Sequence, residues 1–153
     1  IFAGDNLIGR KFYFIYFFFI RAEERKQFLL LIALSLPLAY IFARIAGLLY
    51  AHPQPFAIEG FEPLVPHAID NAFPSDHVAL AGALATVAFL YSRWLGVALW
   101  SVTLCIGLAR VWAGLHYPVD ILVGAIAGLV AVLFISWLFW YIKSFSTRRD
   151  SLK

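Results

Sequence analysis

Four long apolar runs, two of them broken by a single arginine, leave this chain few folds to choose from. Arg44 is the only charge between Phe28 and Tyr50, and Arg110 the only one between Trp94 and Leu115. Ile121 to Ile142 carries no charge at all. Val78 to Tyr91 is shorter and approaches spanning length only if it starts at Ser75. About 20 residues of helix cross a bilayer, with a range of roughly 17–25. Inside lipid the backbone must satisfy its own polar groups, so such runs become helices. A fifth run, Phe12 to Ile20, spans only if helix continues back through Lys11 and Arg10. Cations at that depth must face protein or water. The chain is 63% hydrophobic and 14% charged, against roughly 45–50% and about 25% in soluble domains. A soluble domain and a disordered chain are both excluded. The expected fold class is all-α: a polytopic membrane helix bundle with about five transmembrane helices, forming a single domain over residues 1–153.

Charge placement gives an expected orientation. Arg21, Arg25 and Lys26 share one junction, Arg93 lies in the next junction on that side, and Lys143, Arg148, Arg149 and Lys153 fill the tail. Residues 51–77 carry no Lys or Arg, but hold four acids and three of the four His. Short basic loops mark the cytoplasmic face. The 51–77 loop and the 113–120 corner are therefore expected on the outer face, with residues 143–153 as a cytoplasmic tail. A net charge of +3 is thus used for membrane orientation, and no nucleic-acid partner is implied. Five of the seven Pro fall in the 51–77 loop, among enough apolar residues to argue for an ordered segment, such as an interfacial lid. The lone Cys105 cannot form an internal disulfide, and no zinc-type spacing exists. The sequence has no Met, so it is read as starting within a longer chain, with an N-terminal helix or a signal expected ahead of it.

Three polar clusters should converge at the outer end. They are Asn71-Ala72-Phe73-Pro74-Ser75-Asp76-His77, Ala109-Arg110, and His116-Tyr117-Pro118-Val119-Asp120. Pro118 fits the first turn of a helix, where its missing N–H costs nothing. His116 and Asp120 are one helical turn apart, so Asp120 is expected to fix the His116 tautomer and stabilise its imidazolium. An anionic phosphate would meet free helix N–H groups behind an N-cap at Ser75 or Asp76. Arg110 offers a planar fork for two phosphate oxygens. His116 is a candidate nucleophile and His77 a candidate general acid. Together these suit phosphoryl transfer through a phosphohistidine without a metal or other cofactor.

These residues resemble the phosphatidic-acid-phosphatase type 2 superfamily of membrane lipid phosphatases. Its motifs read K-x6-R-P, P-S-G-H and S-R-x5-H-x3-D. This chain has Pro74-Ser75-Asp76-His77 and Arg110-x5-His116-x3-Asp120 in the same order and spacing. Asp76 in place of the family glycine is similar to the bacterial undecaprenyl-diphosphate phosphatase branch. The resemblance implies a six-helix fold, of which this chain holds about the last five. It also implies His116 as nucleophile, Asp120 as its partner, His77 as acid, and Ser75 and Arg110 as phosphate ligands. The expected substrate is a lipid phosphate or diphosphate in the bilayer. Undecaprenyl diphosphate is favoured over phosphatidylglycerol phosphate, phosphatidic acid or lipid A.

Departures from the motifs define the open positions. Ala109 replaces a serine, Gln54 stands where the family has Arg, and Gly47 where it has Lys. Candidates for the missing substrate contacts are Gln54 itself, His52, Lys11, Arg10 and Arg44, which precedes Gly47 by one turn. Arg44 reads equally as a snorkelling residue, and Asp76 reads as a helix cap or a substrate contact. A non-catalytic lipid-phosphate binder or transporter is the alternative these losses favour. Gly124 and Gly128 read as a close helix-packing face.

Overall fold

The structure, a computed structural model, describes residues 22–150, with side chains described for residues 24–144. The Phe12–Ile20 run, Arg10, Lys11, Arg21 and Lys153 lie outside the described residues, as do the side chains of Arg148 and Arg149. Among the described residues the chain is all-helical: α1 (Ala22–Leu49), α2 (Pro55–Glu59), α3 (Asp76–Tyr91), α4 (Arg93–Trp112) and α5 (Pro118–Asp150). Spans long and apolar enough to cross a membrane occupy Glu24–Leu49, Arg93–Trp112 and Pro118–Ser144. The expected short run is the 16-residue α3, which starts one residue after Ser75. Residues 143–150, expected as tail, continue α5 as helix.

Helix α3 is the hub, packing against α1, α4 and α5, whereas α4 barely touches α5. Its buried residues, among them Ala79, Gly82, Ala83, Ala85 and Ala88, are mostly small. In lipid no hydrophobic drive separates helix from solvent, so close packing of small residues holds helices together. Gly124 and Gly128 act in this way. A Cβ at Gly124 would lie 2.6 Å from the Ser75 carbonyl oxygen, and one at Gly128 would lie 2.3 Å from that of Ala79. These two glycines therefore form the close-packing face expected of them, inside the bundle. Larger apolar side chains such as Leu104, Leu108, Trp112, Leu122 and Trp137 point outward. That exposure suits lipid and would be a liability in water.

Two short connections set the site. Gly114, at φ +77°, ends α4. There Leu115 N–H donates to the Arg110 carbonyl and Gly114 N–H to that of Val111, a Schellman closure that a glycine makes at little steric cost. Three residues later Pro118 opens α5. Between α1 and α3 the long loop is ordered by its own contacts. Pro53 bridges Asn71, Phe56 N–H donates to the Gly114 carbonyl, and Phe56 packs with Ala113 and Leu115.

Candidate active site

His116 follows the α4 closure and is only 7% exposed. Its Nδ1 lies 2.7 Å from the Ala72 carbonyl oxygen. A carbonyl only accepts, so Nδ1 carries the proton and Nε2 keeps its lone pair. No described residue hydrogen-bonds to Nε2. Burial, and next the Arg110 charge, push the His116 pKa down from the ordinary imidazole value; the Ala72 bond and Asp120 oppose this. The ring is thus held neutral, with one nitrogen free to attack.

Asp120 is completely buried. Its Oδ2 accepts the Tyr117 N–H at 2.8 Å and lies 3.5 Å from His116 Nδ1. This differs from the expectation in two ways. His116 lies outside the helix, so the pair meets through the N-terminal cap of α5, where Asp120 reaches back to the residue before Pro118. The Ala72 carbonyl is also closer to Nδ1 than the carboxylate is, so the backbone fixes the tautomer and Asp120 supplies charge beside it.

Ser75 is fully buried at the N-cap of α3, yet its side chain makes no capping bond. Its hydroxyl has no partner among the described residues, while its N–H donates to the Asp120 carbonyl at 3.1 Å. A buried, unpaired hydroxyl beside open helix N–H groups is what a phosphate ligand would satisfy. Asp76 occupies the first helical position and is not the cap; it lies 3.9 Å from Arg44. That pair is loose and partly exposed, so it stabilises the fold by about 0–1 kcal/mol at most, and Arg44, with 61% of its side chain exposed, stands at the rim. His77 is exposed in the first turn of α3, within electrostatic reach of Arg110 and Asp76. Arg110 also feels Asp70, and its buried Nε has no partner among the described residues. The structure thus gathers Ser75, Asp76, His77, Arg110, His116 and Asp120, with Arg44 at the edge.

Gln54 and His52 are turned elsewhere. Gln54 is 1% exposed. Its Oε1 accepts the Asp70 N–H at 3.0 Å, and its Nε2 donates to the Asp70 carboxylate and the Ala68 carbonyl. The expected substrate contact at Gln54 is therefore a loop clamp, because both ends of the amide are occupied. His52 aims Nε2 at Asp120 Oδ1, 3.0 Å away, and not at the α3 N-terminus. At Gly47 a Cβ would sit 2.8 Å from the Phe73 carbonyl oxygen, so α1 abuts the 71–74 segment directly. Among the described residues His67 bonds only its neighbouring Ala68 carbonyl.

Two orienting groups escape sequence reading. The Ala72 carbonyl belongs to the backbone and has no residue signature. Asn71 accepts from the His52 and Phe73 N–H groups and donates to the Gly47 and Phe73 carbonyls. Its bond to Phe73, two residues on, is an Asx turn, so the Asn-x-x-Pro spacing was the available signal.

Fold and site together define a class: a multi-pass helical membrane protein with a histidine, carboxylate and guanidinium cluster at one end of the bundle. The sequence pattern of the PAP2 superfamily matches residues 12–144, and the chain belongs to that family. It is 33% identical over 125 residues to the "Bacitracin transport permease protein BcrC" of Bacillus licheniformis, covering 80% of this chain and 61% of that protein. It is 39% identical over 93 residues to the "Undecaprenyl-diphosphatase BcrC" of Bacillus subtilis, covering 61% of this chain and 46% of that one. The chain thus spans about half the length of the curated relatives it matches. The crystal structure of Aquifex aeolicus LpxE superposes with a TM-score of 0.62 at 27% identity, covering 78% of this chain and 71% of that one.

Proposed function

We propose that this protein is a lipid phosphatase that removes the terminal phosphate of a lipid diphosphate at the extracytoplasmic leaflet. Undecaprenyl diphosphate is the first candidate, giving undecaprenyl phosphate and inorganic phosphate. The observation that carries this reading is the neutral, buried His116, tautomer-locked by the Ala72 carbonyl beside Asp120 and Arg110. In the first step His116 Nε2 attacks the terminal phosphorus. A P–N bond forms as the bridging P–O bond breaks, and the leaving oxygen takes the electron pair and a proton from His77. Arg110, the Ser75 hydroxyl and the first N–H groups of α3 hold the non-bridging oxygens. Asp120 offsets the positive charge that develops on the His116 ring. In the second step water, deprotonated by His77, attacks phosphorus and the P–N bond breaks, releasing phosphate.

A relative named undecaprenyl-diphosphatase supports the substrate. Arg25, Lys26, Arg93 and Lys143, at the helix ends away from the site, support the orientation. Phosphate release by the purified protein from undecaprenyl diphosphate is the test, run beside phosphatidylglycerol phosphate, phosphatidic acid and lipid A, with and without a chelator. No release from any of them would sink the reading. The second reading, a lipid-phosphate binder or transporter, is favoured by the commitment of Gly47 and Gln54 to loop contacts, which leaves no cation at either place. Binding of lipid phosphate without turnover would select it.

A further inference from the structure

Asp120 presents two oxygens in a fully buried setting, and His116 faces only one of them. A buried carboxylate is costly unless charge or hydrogen bonds compensate it. Oδ2 has the Tyr117 N–H. Beside Oδ1 stands the imidazole of His52, with Nε2 3.0 Å away and no other partner for either atom among the described residues. The approach is at ion-pair distance but off the line of a straight hydrogen bond.

The His52 ring is fixed from three sides. Tyr50, Phe73 and Tyr117 meet it edge-on, with centroids 5.3, 6.0 and 5.1 Å away. Edge-to-face packing of this kind fixes the plane of the ring. The His52 backbone is equally constrained: its N–H donates to Asn71 Oδ1, and its carbonyl accepts the Ala72 N–H at 2.9 Å. The carbonyl of that same Ala72 holds His116 Nδ1. One short pairing of residues 52–53 with 71–72 therefore delivers a second imidazole to Asp120 and a backbone acceptor to His116.

We infer that His52 is a positioning residue that acts through Asp120: it holds Oδ1 so that Oδ2 stays beside His116 while charge develops on the phosphorylated ring. The inference rests on the phosphatase reading and adds to it a residue that never touches substrate.

The experiment uses the full chain in detergent micelles with undecaprenyl diphosphate as probe. His52→Phe keeps a ring in the aromatic box and removes Nε2. Its expected effect is a fall in kcat of about 10²-fold, the scale of a misplaced catalytic group, with KM within about twofold, both measured well below the thermal midpoint, which should itself fall because Oδ1 loses its neighbour. His52→Gln, which restores a donor of similar reach, should recover about tenfold of that loss. Asp120→Asn combined with His52→Phe should be no slower than Asp120→Asn alone, because residues acting through one group are not additive. A raised KM with kcat intact would instead make His52 a substrate ligand and overturn the inference. So would full additivity in the double variant. If the native chain releases no phosphate, the phosphatase reading fails, and the inference is decided by the His116 ring ¹⁵N resonances. A shift at Nδ1 in His52→Phe sustains the link through Asp120, and an unchanged resonance refutes it.

Discussion

The corner between α4 and α5 and the loop between α1 and α3 supply the two halves of the site, and they are built differently. The corner is coded locally. Gly114 closes α4, Pro118 opens α5, and Asp120 caps the turn by bonding the Tyr117 N–H three residues back. The loop is assembled from distant pieces. Asn71 ties to Gly47 and His52, Gln54 ties to Asp70, and Ala72 reaches His116 across 44 positions of sequence. Under the proposed mechanism the difference is a division of labour: the corner carries the nucleophile and its carboxylate, and the loop orients them. Damage to the corner should therefore strike chemistry, and damage to the loop should loosen it.

His116→Ala is the hardest blow to the corner. Phosphate release should fall by about 10⁴-fold or more, the scale seen when a nucleophile is removed, and radiolabelled phosphate should no longer be trapped on the protein. Unchanged turnover would mean that the corner does not hold the nucleophile. Arg110→Lys keeps the charge but loses the fork, so kcat/KM should drop about 10²-fold. A loss seen in the lysine variant only at high salt would point to a general electrostatic role instead.

A paired measurement sharpens the contrast at lower amplitude. Gly114→Ala forces an ordinary residue to a positive φ and a Cβ against the Phe61 ring, 2.5 Å away. It should cost about 1–3 kcal/mol of stability, read as a lower unfolding midpoint. Asn71→Ala removes a hub of backbone bonds from the exposed loop and should cost less, about 1–2 kcal/mol. Its activity should nevertheless fall about tenfold, since the Ala72 carbonyl loses its support. Equal ratios of activity loss to stability loss in the two variants would erase the distinction between the regions.

The smallest effect is in pH dependence. Burial and Arg110 lower the His116 pKa, so the nucleophile stays unprotonated into acid where a free imidazole, near about 6.5, would not. The acid limb of kcat/KM set by His116 should therefore lie below that value. The stability sign agrees. As pH falls through the ordinary imidazole range, the unfolded chain takes up a proton that folded His116 resists, so unfolding becomes easier until the folded ring also protonates. A stability that rises over that interval on acidification would contradict a buried neutral ring.

Much of the site was legible because its motifs are local and chemically distinctive. Pro74-Ser75-Asp76-His77 and Arg110-x5-His116-x3-Asp120 give residue types, order and spacing, and the bundle brings them to one end. By sequence Gln54 and His52 are expected as substrate contacts because they are polar and stand near the expected cation positions. Their partners, Asp70 and Asp120, follow from loop folding, which no spacing encodes. The sequence leaves Arg44 between snorkelling and phosphate contact, and the structure puts it at the rim beside Asp76.

The apolar runs by themselves determined that the described chain would be helical and membrane-embedded, because lipid lets a backbone bond only to itself in that form. The polar punctuation between the runs determined which side chains could carry chemistry. Only the tertiary structure decided which oxygen each histidine meets. That choice depends on a backbone carbonyl and a buried carboxylate placed by close helix packing at Gly47 and Gly124, where absent side chains let distant segments touch.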